Sequence, residues 1–389
     1  MSSKFEVWLC DDAGRRKYLF EKFSSLSYTR TTAGLGTCNL LLPYDKFLKD
    51  VGSIPKRDMR IDVWRSPYSG IAARREGSFL IRKPMIYQRA TDQVRMIDIF
   101  GRSPLDLLRR QNSKTNATIT DTIDNIMKTI VRSRFVTNLT AYSTSPNTVN
   151  GSTYTSTGEF VVDEDADDGP AITAPASYYL RSVSDICQDL KSASFLKNEE
   201  DDANKKIYFD VIEDDSAGLP GGFGYRFRTY PDMRGKDRTN GIIYSTENGN
   251  LQSPVYYEDG IDEYTSSFFY NASAAWGSVN VQNNNQYQSR WNYIESAQTT
   301  SEADEDGATT NAQSDLRDKS AKKVLNADFL NSPGSPTQPR ALYGVDWDLG
   351  DILPVKFAEQ VLSANVAIVY VGLNENGQEN ITGKTSVGV

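Results

Sequence analysis

The stretch Ala341-Leu342-Tyr343-Gly344-Val345-Asp346-Trp347-Asp348-Leu349-Gly350-Asp351-Ile352-Leu353-Pro354-Val355-Lys356-Phe357, followed by Ala364 to Val371 and by Asn374-Glu375-Asn376-Gly377-Gln378, decides how the chain is read. It alternates apolar and polar residues in short runs. Gly350-Asp351 separates one predicted strand from the next, and Asn376-Gly377 predicts a hairpin turn with φ > 0 available at both positions. Val345 and Trp347 alternate with Asp346 and Asp348, and Val366, Ile368 and Tyr370 alternate with Ala367, Val369 and Val371, so one apolar set is expected to face inward. A meander of this length cannot bury both faces alone. It must close against other strands, which places the function on a β scaffold.

Strands are expected elsewhere too. Phe5, Val7 and Leu9 alternate, Asp11 to Gly14 turns, and Tyr18-Leu19-Phe20 returns. Further strands are predicted at Ser25 to Arg30, Thr37 to Leu42, Met59 to Trp64, Ser78 to Gln88 and Gln93 to Gly101, the spacing of a small barrel or sandwich. Ser103-Pro104-Leu105-Asp106 reads as a capping box opening a short helix to Arg110. From Thr115 the period becomes helical. Ile119, Ile123, Ile126 and Ile130 form one stripe, with Thr118 and Asp121 set as a second capping box, and Val183, Ile186, Cys187 and Leu190 form another. Strands resume at Ile207, Phe209 and Val211, with a turn at Gly218 to Gly222, a return at Tyr225 to Thr229, and candidates at Gly241 to Ser245, Pro254 to Glu258 and Tyr264 to Tyr270. Polar stretches at 138–169 and 281–314 read as insertions, and a charged helix is predicted from Asp315 to Leu325.

Composition narrows the function. The 389 residues carry 43 basic and 51 acidic side chains, a net charge of −8, which argues against duplex-DNA binding as the main activity. No run of residues is apolar enough to span a bilayer, and Glu6, Asp11 and Asp12 interrupt any signal-peptide core, so a product made in a cytosol is expected. Cys10, Cys38 and Cys187 are too far apart for a disulfide framework or zinc site and fit buried thiols. The chain has no histidine, which removes Ser-His-Asp and Cys-His catalysis and histidine metal ligation. Carboxylate pairs remain open, but 51 acids single out none.

Three local patterns compete with plain structural readings. Asp163, Asp165 and Asp167 occupy the first, third and fifth places of a calcium loop, but Asp168 stands where glycine is needed and Ala174 where a bidentate glutamate belongs, so a solvated acidic loop is the other reading. Gly221-Gly222-Phe223-Gly224 lacks the following Lys-Ser/Thr of a phosphate cradle and reads as a turn. Tyr256, Tyr257, Tyr264, Phe268, Phe269, Tyr270 and Trp276 suit either a sugar-stacking face or a β core and subunit interface.

The order of elements resembles the siphophage-type tail protein family, the phage tail-tip or baseplate hub proteins. The Phe5-Glu6-Val7-Trp8-Leu9 strand, Asn39-Leu40-Leu41-Leu42-Pro43 and Ile99-Phe100-Gly101 carry the likeness at one end, and Tyr343 to Asp351 with Asn376-Gly377 at the other. The resemblance implies an α+β, β-dominated chain. Its first β-barrel hub domain is residues 1–112, a helical segment with a long polar loop is 113–204, and a second barrel is built from 205–275 and 325–389 around a polar insertion with a charged helix at 276–324. It further implies a trimeric virion hub that adapts a six-fold tail tube to a three-fold tip and passes DNA. The implied partners are the tail tube or distal tail protein, the tape-measure protein and tail-tip spike or fibre proteins, with genomic DNA only in transit and no membrane insertion. No catalytic, cofactor-binding or metal-binding residue is expected. If DNA slides past the ring, Arg15, Arg16, Arg74, Arg75, Arg109 and Arg110 are expected to face neighbours or solvent on the outer surface. The alternatives are a carbohydrate-binding or carbohydrate-cleaving β protein of the tail tip, or a tail-associated peptidase.

Overall fold

A computed structural model describes residues 4–11, 14–32, 34–68, 70–113, 118–135, 147–149, 152–154, 160–174, 178, 180–200, 204–214, 224–271, 273, 275–282, 293–300 and 305–385. Most of the polar stretch 138–158, the Gly218 to Gly222 turn and Asn283 to Asn285 lie outside them. The fold is β-dominated, with 50% strand and 16% helix. Two compact units form, one from 1–252 with 328–385 and the other from 253–327 with 386–389.

The first unit is built on one long antiparallel sheet. Its opening strands are β1 (Lys4–Cys10), β2 (Arg16–Phe20), β3 (Ser25–Thr31), β4 (Thr37–Pro43), β5 (Arg60–Ser66), β6 (Arg74–Gln88) and β7 (Arg95–Arg102), paired in the order β2-β1-β5-β6-β7-β4-β3. Val7 and Leu9 are fully buried, as their alternation requires. Beyond β3 the sheet continues into the end of the chain. Gln360–Asn374 pairs antiparallel with β3, opposing Val371 to Tyr28, and Glu379–Thr385 pairs on its other side. The closing meander is therefore extended, edge to edge, by the opening strands.

Two details of that meander differ from the sequence pattern. Residues 341–351 are a turn-rich loop and not a strand: the Leu342 carbonyl accepts from the amides of Val345, Asp346 and Trp347, and Gly344 and Gly350 have φ of 82° and 87°. In Gln360–Asn374 a register shift between Val366 and Ile368 reverses the alternation, so that Val369 and Val371 are buried while Tyr370 is 40% exposed. The Asn376-Gly377 turn forms with positive φ at Gly377 alone, its start fixed by the Asn374 carboxamide oxygen accepting from the amides of Asn376 and Gln378.

A second layer of the same unit joins helices and a small sheet around one core. Helices Ile123–Phe135 and Val183–Glu200 bury Ile126, Ile130, Ile186 and Leu190 against Phe209 and Phe227, which come from the antiparallel strands Ile207–Asp214 and Gly224–Pro231. Ile119 does not extend the helical stripe. Ile119–Thr122 is a strand paired with Ala171–Ala174, because the β-branched run finds a partner distant in sequence. The helix starts one residue later, and the Thr122 hydroxyl, not Thr118, accepts the Asn125 amide at 3.5 Å. Ser103 is likewise no capping residue. Its hydroxyl accepts the Gly36 amide at 3.1 Å, and Asp106 is held by Arg102 and Arg110.

The second unit packs a three-stranded sheet on a helix. Ser266–Tyr270 lies between Ser278–Gln282 and Glu295–Thr299. The helix is Glu305–Asp318, earlier than predicted, and Lys322–Leu330 is a strand. Small residues hide the buried stripe in the sequence, since Ala308 and Ala312 pack against Phe269 and Val279 and Leu316 is the one large apolar side chain buried on this helix. Gly241 to Ser245 is irregular and not a strand, with Tyr244 alone making a parallel bridge to Val355.

Candidate functional site

The loop 341–351 is where both ends of the chain are locked together. The Tyr343 hydroxyl donates to Glu76 at 2.6 Å and accepts from Arg30 at 2.6 Å. Asp348 receives Arg30 at 3.1 Å and Arg74 at 2.8 Å, and Arg74 also reaches Glu76 at 2.9 Å. Arg65 bonds Glu379 at 2.6 Å and the Tyr343 carbonyl at 3.1 Å. Three strands of the opening sheet, β3, β5 and β6, thus meet the closing loop and the last strand in one polar cluster. The Glu76 side chain is fully buried and that of Arg65 is 1% exposed. Charges this deep persist only when paired.

Each residue type in the loop has a geometric reason. Gly344 has a φ of 82°, and a Cβ there would fall 2.7 Å from Arg74 Nη2, so a larger residue would strain the turn and push the guanidinium aside. A Cβ on Gly235 would lie 2.3 Å from the Gly350 carbonyl carbon, which lets the loop sit on 234–238. Asp346 accepts the Leu342 amide at 2.9 Å, and Asp351 accepts the Lys236 amide at 2.7 Å and Arg238 at 2.6 Å. Trp347 is fully buried, with its indole N–H on the Ala341 carbonyl at 3.1 Å and its ring against Tyr343 and Phe329. A Cβ on Gly383 would come within 2.5 Å of that ring.

The electrostatics follow the geometry. Burial opposes the charge on Asp348, but Arg30 and Arg74 outweigh it and hold the carboxyl below its ordinary range. Burial pushes the Tyr343 hydroxyl well up, keeping it a neutral donor. Beside the lock lies a cleft of about 510 Å³ lined by Arg74, Arg234, Lys236, Arg238, Asp348 and Asp351.

The acidic stretch 163–168 is a strap, and its carboxylates point to separate partners. Asp163 takes Arg226 at 2.8 Å and Arg228 at 2.9 Å, Asp165 takes Arg132 at 2.7 Å, Asp167 takes the Asn125 amide at 2.6 Å, and Asp168 takes Lys205 at 2.7 Å. Beneath it Lys128 bridges Asp124 at 2.8 Å and the Glu164 carbonyl at 2.6 Å. Burial works against the Asp163 charge, yet hydrogen bonds from the two arginines lower its carboxyl overall. Among the described residues, no group of three or more His, Cys, Asp or Glu side chains is placed to hold a metal ion. Residues 221–223 of the glycine-rich turn lie outside the described residues.

The basic residues expected on the outer surface divide. Arg15, Arg16 and Arg109 are exposed, with Arg16 stacked 4.8 Å from the Trp8 ring and 5.0 Å from that of Trp64. Arg74, Arg75 and Arg110 correct the expectation. Arg74 belongs to the lock, Arg75 lies 14% exposed over Trp64, 3.9 Å from Asp62, and Arg110 pairs with Asp58 and Asp106, because buried carboxylates in the same unit need them. The aromatic set is not one platform either. Phe269 is core, Tyr264 sits under Lys319, and Tyr256, Tyr257 and Tyr270 are exposed on two different strands. Sequence reasoning missed Arg30, Arg65, Glu76 and Glu379. The available signal was Arg74-Arg75-Glu76 just before the predicted strand Ser78 to Gln88: extending that strand back to Arg74, as the structure does, puts charges on consecutive residues and forces at least one inward.

No protein-family model and no curated protein sequence matches the chain. Solved structures do match. A 43 kDa tail protein of prophage MuSo2 from Shewanella oneidensis is 10% identical with a TM-score of 0.54 over 98% of each chain. The tail protein from Neisseria meningitidis MC58 is 8% identical with a TM-score of 0.53, over 99% of this chain and 96% of that one. Prophage tail protein gp18 from Listeria monocytogenes EGD-e is 9% identical with a TM-score of 0.50, over 98% and 94%. A β-dominated chain whose two ends form one sheet is the architectural class. Within it, this chain has the fold of phage tail proteins, the resemblance read from its two ends.

Proposed function

We propose that the chain is the hub at the distal end of a phage tail, a virion component assembled from three copies around an axial passage for DNA. The observation that carries this reading is the lock between Tyr343, Asp348 and the opening strands, which turns the two β regions into one rigid wall. Such a wall suits a ring that transmits symmetry and does not need a catalytic cleft. The proposed division is a first barrel at 1–112 and a second within 205–275 and 325–389. The packing of Ile207–Asp214 and Gly224–Pro231 on the helices favours assigning these two strands to the helical segment instead. Tail tube or distal tail protein, tape-measure protein and spike or fibre proteins are its proposed neighbours. Among the described residues no helix is long and apolar enough to cross a membrane.

Light scattering after gel filtration, followed by particle imaging, tests the proposal. Three copies around one axis, with the two β regions superposing as pseudo-equivalent barrels, are expected. A stable monomer or a two-fold dimer at micromolar concentration overturns it.

A further inference from the structure

The second unit carries a sheet face that is partly open to solvent. Along Ser266–Tyr270 the side chains alternate between two faces. On the inner face Ser267 donates to Asp315 at 2.7 Å and Phe269 packs on Ala308 and Ala312 of the helix. The outer face presents Phe268, half-buried, and Tyr270, 50% exposed. Register places Asn280 and Ala297 on either side of Phe268, and Ser278 and Thr299 on either side of Tyr270, all four of them exposed. Ser266 donates to Asn280 Oδ1 at 2.9 Å, which holds that exposed carboxamide in place.

We propose that this face binds a neutral polysaccharide. Two rings at alternate positions of one strand stand about 7 Å apart on a flat sheet. Sugar rings present a patch of C–H bonds to an aromatic face and hydroxyls around the rim. The face offers the match: two rings, with Asn280, Gln282, Ser278 and Thr299 as hydrogen-bonding neighbours. Charge selects against other occupants. Glu295 is the one side chain charged at neutral pH among the residues that this register places on the face, so neither nucleic acid nor a strongly charged peptide is complemented. A protein interface core would be depleted in the amides and hydroxyls that surround the rings here.

The test is titration of the full chain with chitohexaose, cellohexaose, maltohexaose and delipidated bacterial O-polysaccharide, followed by tyrosine fluorescence and calorimetry. At least one is expected to bind at millimolar or lower concentration. Tyr270→Ala weakens that binding about tenfold and Asn280→Ala weakens it less, while Tyr257→Ala on Leu251–Asp259 leaves it unchanged. Tyr270 is half exposed, so its variant keeps the melting temperature. Absence of binding to every saccharide, or binding indifferent to both Tyr270→Ala and Asn280→Ala, overturns the proposal. Copy number is measured separately, so this failure and that of the hub reading are distinguishable.

Discussion

At the residue scale, the chain's stability rests on charges that are buried and paired. Asp348→Asn leaves Arg30 and Arg74 without their shared carboxylate, and a loss of about 3 kcal/mol in urea unfolding at pH 7 is expected. The folded Asp348 carboxyl titrates below its ordinary value of 3.8. Its contribution is therefore present above the unfolded value and is lost as pH falls through the folded one, so the variant should show a flatter decline of stability below about pH 4. An equally steep acid limb in the variant would remove Asp348 from the account. Lys191 acts with the opposite sign. Its ammonium lies 5.0 Å from the Tyr208 ring and 5.5 Å from that of Phe195, and burial, with Arg234 nearby, lowers its pKa from 10.5 to about 8. The unfolded chain binds the proton more tightly, so stability rises as pH climbs from about 8 towards 10.5. Lys191→Met should then raise stability at pH 7 by about 1 kcal/mol, an advantage that shrinks by pH 10. Destabilisation at pH 7 would mean that the aromatic contacts outweigh the buried charge.

At the element scale, the loop 341–351 does what a strand could not. A strand would send Trp347 and Val345 to one face and both aspartates to the other. The turns at Gly344 and Gly350 instead let Trp347 fill the core while Asp346, Asp348 and Asp351 each reach a different donor. Trp347→Ala should cost about 3 to 5 kcal/mol, because Gly383 and Phe329 are shaped around the ring and cannot close the cavity. Thermal melting checks it, and a loss below about 1 kcal/mol would place the ring outside the core.

At the scale of the whole molecule, the arithmetic of charge matters more than any one site. The chain is acidic by eight charges, and most arginines of the opening sheet are engaged by its own carboxylates. Little cationic surface is left to condense on phosphates. Fluorescence anisotropy with a 20-base-pair duplex should accordingly show weak binding, with a shallow dependence on salt. Tight, steeply salt-sensitive binding would count against a passive conduit for DNA.

The sequence by itself determined the β-dominated class, the strands of the opening sheet, the two buried helix faces and the importance of the 341–351 loop. These follow from period, turn residues and composition, which are local properties of the chain. It did not determine that this loop is a turn, that Gln360–Asn374 carries a bulge, or that Ile119 belongs to a strand. It also gave no sight of Arg30 and Glu76 meeting Tyr343. Only the tertiary structure decided those, because they depend on partners tens to hundreds of residues away or on local backbone shifts, and neither leaves a periodic trace in the amino-acid order.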